Sequence, residues 1–144
     1  MDAYSSKLLV AVRAVAETWL SRAFDKVVSE QGLVVDPHGR LAAVIRARDE
    51  ATDRLEELLR TDVIEQRTNP LSILRSVTRH LTVELLARGA RPIEQDEFHR
   101  RTFPDDVFGL CPATWADIDP SLADCGIEWG AWKAAEVLRR RRTR

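Results

Sequence analysis

Apolar residues recur at every third or fourth position along three long segments of the chain. These segments run from Ser6 to Glu30, from Leu41 to Arg60 and from Asn69 to Arg88. Such spacing places the apolar side chains on one face of an α-helix. The chain is therefore predicted to begin with three long amphipathic helices. In the third segment the predicted apolar face consists of Leu71, Leu74, Val77, Leu81, Leu85 and Leu86.

Residues with special backbone preferences mark the ends of these helices. Gly32 and Gly89 are predicted to end the first and third helices, because glycine takes the left-handed conformation that a helix exit needs. Asn69 followed by proline is predicted to start the third helix. Residues 33–35 are expected to form an extended connector that packs on the core, and residues 36–39 a turn.

The last third of the chain has a different pattern. A short helix is expected over Glu94–Arg101, followed by a turn-rich stretch at 103–109. A further short helical segment is expected from Pro112 to Ile118, and a final helix from Ile127 to Arg141.

The predicted fold class is all-α, as a single domain over residues 1–144. Three long helices form a bundle, with a loop-rich C-terminal segment and a final helix packed across it. The domain divides into a helical body at 1–92, an acidic, aromatic and turn-rich segment at 93–128, and a C-terminal helix with a basic tail at 127–144.

The charges nearly cancel, yet they are segregated along the chain. The 144 residues include 22 Lys and Arg against 23 Asp and Glu, which gives a net charge of −1. With 44% hydrophobic and 31% charged residues, the chain has a globular rather than a disordered composition. The near-zero charge argues against a protein that wraps as a whole around nucleic acid. However, residues 93–132 hold nine acidic and two basic residues, and residues 133–144 hold six basic and one acidic.

The sequence predicts neither membrane attachment nor export. The N-terminal apolar run is interrupted by Arg13 and Glu17, and no other stretch is apolar enough to span a bilayer. We therefore expect a cytoplasmic protein. Cys111 and Cys125 are too few for a disulfide framework and lack metal-ligand spacing, although a single bridge remains an alternative for an exported chain.

Candidate catalytic and metal-binding residues do not form a recognisable motif. The acidic turns could supply oxygen ligands to Mg²⁺ or Ca²⁺, but their spacing matches no calcium-binding loop, and such residues commonly cap helices and turns. The turn carboxylates are Asp105, Asp106, Asp117, Asp119 and Asp124. The three histidines have no zinc-protease spacing, and a nucleophile–base arrangement of a cysteine with His99 is left open. The sequence thus predicts no catalytic residue, cofactor or metal site.

Large aromatic side chains are concentrated among the acidic residues. They either anchor the irregular segment to the helices or form an exposed contact for a partner protein. The hypothetical partner-binding residues are Phe98, Phe103, Asp105, Asp106, Trp115, Asp117, Trp129 and Trp132. If one tryptophan is exposed, we expect it to be Trp132, because the alanine-rich face of the last helix is predicted to be buried.

The basic tail has several interpretations. Its residues are Arg139, Arg140, Arg141, Arg142 and Arg144. They complement the negative end of a helix dipole, form a solvated tail, fold back over the acidic segment, or bind phosphates or an acidic protein surface. Without interleaved aromatic residues, any nucleic-acid binding is expected to be nonspecific.

The second half of the chain resembles a family of small uncharacterised actinobacterial proteins. The resemblance covers about residues 68–138. It rests on Asn69-Pro70-Leu71, Asp96-Glu97-Phe98, Phe103-Pro104-Asp105-Asp106-Val107-Phe108-Gly109-Leu110, Pro112, Trp115-Ala116-Asp117-Ile118-Asp119-Pro120-Ser121-Leu122, Gly126, Trp129-Gly130 and Lys133-Ala134. It implies no known activity and no functional residues.

Together these observations favour a non-enzymatic, cytoplasmic protein-interaction or regulatory adaptor. A homodimer formed through the long helices is one further expectation. Two alternatives are a nonspecific nucleic-acid-associated protein using the arginine tail, and a small enzyme or metal-dependent binder using the Asp-rich turns.

Overall fold

The structure is a computed structural model that describes residues 3–61, 77–112, 115–120 and 122. It confirms the all-α class, and no strand occurs among these residues. The helices are α1 (Ala3–Gln31), α2 (Pro37–Thr61), α3 (Arg79–Ala87), α4 (Glu97–Thr102) and α5 (Trp115–Ile118). Two long helices are thus established, and of the predicted third the structure describes the C-terminal part as α3. The predicted final helix lies outside the described residues.

The helices α1 and α2 pack side by side in opposite directions. Three ion pairs connect them, between Asp25 and Arg40, between Glu17 and Arg48, and between Arg13 and Glu56. As the residue number rises along α1, that of its partner falls along α2, so the helices are antiparallel. The buried faces include Leu8, Val12, Leu20 and Phe24 of α1 and Val44, Leu55 and Leu59 of α2. Burial of these side chains supplies the main favourable term in folding.

Glycine ends α1 and α3 in the same way, as the sequence predicts. Gly32 and Gly89 have φ angles of 62° and 88°. After Gly32, the Leu33 amide donates a hydrogen bond to the Val28 carbonyl at 3.0 Å. After Gly89, the Ala90 amide donates to the Leu85 carbonyl at 3.1 Å. These bonds pair carbonyls that would otherwise be left over at the helix ends.

The connector after α1 is extended and contacts the core on one side. Leu33 and Val35 pack against the hydrophobic core, whereas Val34 between them is fully exposed. The predicted turn at 36–39 is wrong, because α2 already begins at Pro37, four residues before the predicted start. The Asp36 carboxylate accepts a hydrogen bond from the Gly39 amide at 2.8 Å and so caps this helix.

A carboxylate on α3 holds α2 and α3 together. Glu84 accepts two hydrogen bonds from Arg46, at 2.7 and 3.0 Å, and one from Arg88 at 2.6 Å. His80 lies 3.2 Å away on the same side. The hydrogen bonds from Arg46, reinforced by Arg88 and opposed by partial burial, lower the pKa of Glu84 to about 2. The carboxylate is thus ionised at neutral pH despite its burial.

One side chain also fastens the end of α1 to the segment after α3. The Gln31 side-chain nitrogen donates to the Arg91 carbonyl at 2.7 Å, and its oxygen accepts from the Arg91 amide at 2.7 Å. Farther along, the Ile93 amide donates to the Val107 carbonyl at 2.9 Å. These contacts place the segment that precedes α4 next to the end of α1 and next to the loop that follows α4.

Candidate functional site

The candidate site begins with the cap of α4. The Asp96 carboxylate accepts a hydrogen bond from the His99 amide at 2.7 Å, so the helix starts directly after this aspartate. The Phe103 amide donates to the His99 carbonyl at 2.7 Å where the helix ends. With only six residues, α4 is a short platform that fixes His99 beneath the loop that follows.

Asp106 organises this loop, which we define as residues 103–112. One carboxylate oxygen accepts from the Leu110 amide at 2.7 Å, and the other accepts from the Cys111 amide at 2.9 Å. The second oxygen also lies 3.1 Å from His99 Nε2. The residue is only 7% exposed. Its carboxylate therefore acts as an internal cap for the loop backbone, the role that aspartates in turns commonly take.

His99 supports the loop from below. It is 2% exposed, and its ring centre lies 5.2 Å from that of Phe103. Its Nε2 faces both the carboxylate and the backbone oxygen of Asp106, the latter at 3.3 Å. Because both neighbours are acceptors, Nε2 carries a hydrogen and donates to them. Nδ1 is buried and has no hydrogen-bond partner among the described residues.

A small pocket lies between the loop and the start of α3. Its volume is about 20 Å³, room for about one water molecule, and it is partly open to solvent. Arg79 and Asp105 are exposed, whereas the other residues that line it are buried. The lining consists of Thr78, Arg79, Thr82, Phe103, Asp105, Asp106 and Cys111. Acidic, basic and hydroxyl groups thus meet around one small volume.

Cys111 is buried at the edge of this pocket. Its sulfur lies 3.7 Å from the Pro112 carbonyl oxygen, and its backbone amide is bound by Asp106. In the hypothetical nucleophile–base arrangement, a histidine nitrogen would face this sulfur. His99 Nε2 instead contacts Asp106, and among the described residues no contact joins it to the sulfur.

The predicted partner-binding residues have different environments. Asp105 and Asp117 are exposed, and Phe98 is half-buried. Phe103 and Asp106 are buried, so they support the surface from within instead of standing on it. Trp115 belongs to α5, but its side chain lies outside the described part, as do Trp129, Trp132, Cys125 and the tail arginines Arg139, Arg140, Arg141, Arg142 and Arg144.

The acidic turns do not form a metal centre in the described part of the chain. There, no group of three or more His, Cys, Asp or Glu side chains is arranged to hold a metal ion. The contacts of Asp106 account for part of this result, because its oxygens already accept hydrogen bonds from two backbone amides and contact a histidine. For this residue, the capping interpretation describes the geometry.

No feature of the sequence pointed to the pocket residues at the start of α3. Thr78, Arg79 and Thr82 come to the pocket because the loop packs against the start of α3. The prediction that Leu86 belongs to the buried face of this helix is wrong. Leu86 is 43% exposed and Val83 is 55% exposed, while Leu81 and Leu85 are buried.

Within the described residues, no helix combines the length and the apolar character needed to cross a membrane.

Comparisons with protein-family models, with curated proteins and with solved structures give no match to this chain. Function is therefore argued from the residues themselves.

Proposed function

We propose that this chain is a non-enzymatic cytoplasmic adaptor that binds a protein partner through α3 and the acidic segment beside it. The observation that carries the proposal is the exposure of Val83 and Leu86. They are three residues apart and therefore neighbours on the surface of one helix. Exposed large apolar side chains that lie together are typical of interaction surfaces.

The opposite side of α3 explains why this strip is not part of the core. Leu81 and Leu85 are fully buried, and Glu84 is held by Arg46 and Arg88. These contacts fix the rotation of the helix about its axis. Val83 and Leu86 consequently point away from α2, where a partner can reach them.

The charges that follow α3 along the chain favour a partner of complementary chemistry. Ile93, 43% exposed, is followed by the exposed acidic residues Glu94, Asp96 and Glu97. A partner surface with apolar side chains flanked by lysine or arginine matches this arrangement. Charge complementarity of this kind mainly raises the association rate and excludes wrong partners.

Site-specific photo-crosslinking in the source cells tests the proposal. A photoreactive amino acid replaces Val83 in one variant and the exposed Asp53 of α2 in a matched control. We expect a defined adduct at position 83 that the control does not form. The substitution Leu86→Asp, made in the chain with the crosslinker at 83, is expected to remove this adduct.

The adduct is then identified by mass spectrometry. A heterologous protein with a basic and apolar contact surface supports the proposal. An adduct with a second copy of this chain would instead indicate the homodimer alternative and overturn the adaptor proposal. Equal labelling at positions 53 and 83, or no adduct at either, would also overturn it.

A further inference from the structure

One side of α3 is exposed from the first residue of the helix to the last. The exposed residues on this side are Arg79, Val83, Leu86 and Ala87. Residues at i, i+4, i+7 and i+8 lie on the same face of an α-helix. We call these four residues the α3 stripe. It carries a cation at one end and three apolar side chains along the rest, over about 12 Å.

The backbone of α3 offers no hydrogen bonds to a molecule that lies on this stripe. Along the helix its N–H and C=O groups bond to one another, and the amides just past its end pair with the carbonyls of Leu85 and Leu86. A partner segment on this face must therefore satisfy its own backbone groups. An α-helix does so internally, whereas an extended segment binds through the free edge of a sheet. The α3 stripe thus favours a helical occupant.

Arg79 indicates the charge of this occupant. Its side chain is exposed, and within the part of the chain that the structure describes it forms no ion pair. Two other arginines near α3, Arg46 and Arg88, both bind the Glu84 carboxylate. An acidic residue on the occupant gives Arg79 the carboxylate that it lacks, through a charge-assisted hydrogen bond.

The α3 helix of a second copy does not supply this acidic residue. The one carboxylate in the sequence of α3 is Glu84, which is 8% exposed and already bound by Arg46 and Arg88. In a parallel pair of α3 helices, Arg79 would face another Arg79. In an antiparallel pair it would face the end at Ala87, next to Arg88. Both arrangements leave the cation without a carboxylate, so the stripe fits a different protein better.

We propose that the partner presents an amphipathic α-helix that packs along the α3 stripe. Its apolar side chains, spaced three and four residues apart, contact Val83, Leu86 and Ala87. An aspartate or glutamate at one end of the apolar face binds Arg79. This inference rests on the proposed function, because it describes the partner that the adaptor binds.

Crosslinks at two positions of the stripe test the helical form. A photoreactive amino acid replaces Val83 in one variant and Ala87 in another, and mass spectrometry identifies the partner residue in each adduct. The two positions are about 6 Å apart along α3. A partner helix advances about four residues over this distance, whereas an extended segment advances about two. We expect both adducts to contain the same partner protein, crosslinked at residues about four apart.

Charge reversal tests the acidic contact. Arg79→Glu is expected to weaken binding of the partner identified by crosslinking about tenfold or more in calorimetric titration, because two like charges then meet. Replacing the partner's acidic residue by lysine is expected to restore binding to this variant. Arg22→Glu reverses an exposed charge on α1 and serves as the matched control, with an unchanged affinity expected.

Different results overturn this inference and the adaptor proposal. Adducts with a heterologous protein at residues about two apart, or in no fixed order, would overturn the helical partner and leave the adaptor proposal standing. Equal affinities of the Arg79→Glu and Arg22→Glu variants, or no rescue by the partner's lysine, would do the same for the acidic contact. No adduct at position 83, or an adduct with a second copy of this chain, would overturn both proposals.

Discussion

Arg46 of α2 and Glu84 of α3 form an ion pair with two hydrogen bonds. The Nε and Nη2 atoms of Arg46 lie 2.7 and 3.0 Å from the two carboxylate oxygens of Glu84. The carboxylate side chain is 10% exposed, and Arg88 donates to it as well. Partial burial and paired geometry distinguish this contact from ordinary surface ion pairs, which contribute little to stability.

The substitution Glu84→Gln is expected to lower the free energy of unfolding by about 1–3 kcal/mol, because two arginines lose a charged acceptor. Urea titration followed by circular dichroism measures the change. Glu50→Gln alters an exposed residue of α2 and is expected to stay within about 0.5 kcal/mol of the unmodified protein. Equal stability of the two variants would contradict the structural role of Glu84.

The same carboxylate predicts a pH dependence. Its pKa is about 2 in the folded protein, against an ordinary value of 4.5. The folded state thus prefers the ionised form, and the stabilisation is fully present above pH 4.5 and lost as the pH falls toward 2. Unfolding titrations across this range are expected to show a decline that Glu84→Gln reduces. An unchanged slope in the variant would contradict the assignment.

Asp106→Ala is expected to destabilise the protein by about 3 kcal/mol, because the Leu110 and Cys111 amides lose their shared acceptor. Hydrogen exchange of these two amides is expected to accelerate more than exchange in α2. Asp105→Ala, one residue earlier and exposed, serves as the control and is expected to change stability by less than about 0.5 kcal/mol. Equal effects of the two substitutions would argue against the internal cap.

Gly89→Ala is expected to cost about 1 kcal/mol, because an L-residue with a side chain is strained at a φ of 88°. A Cβ atom at this position would meet no heavy atom within 4 Å, so the cost comes from the backbone and not from a steric clash. Gly89→Asn is the matched control, since asparagine tolerates this conformation better. Thermal unfolding is expected to rank glycine above asparagine and asparagine above alanine.

The sequence was informative about helices and their ends, because these depend on local periodicity and on glycine. It failed at Pro37, since an Asp-Pro pair can open a turn or a helix and the choice depends on which residues pack beyond it. The prediction for Leu86 was also wrong. Adjacent residues on a helix point in directions about 100° apart, so the rotation of α3 that buries Leu85 in the core leaves Leu86 exposed.

The candidate site was far less predictable. Asp105 and Asp106 are identical in type and adjacent, yet one is exposed and the other caps a loop. Their difference arises from contacts with His99 and with backbone amides four and five residues ahead. Thr78, Arg79 and Thr82 join the pocket through packing between distant segments, which leaves no local signal.

The double contact between Gln31 and Arg91 has a consequence for finding relatives of this chain. The contact needs one donor and one acceptor on the same side chain, and an amide supplies both, whereas a carboxylate has no donor when ionised. A homologue with this arrangement is expected to keep an amide there, directly before the glycine that ends α1. Together with an aspartate before α4 and a second one ten residues later, that amide defines a search pattern based on hydrogen-bonding need rather than overall identity.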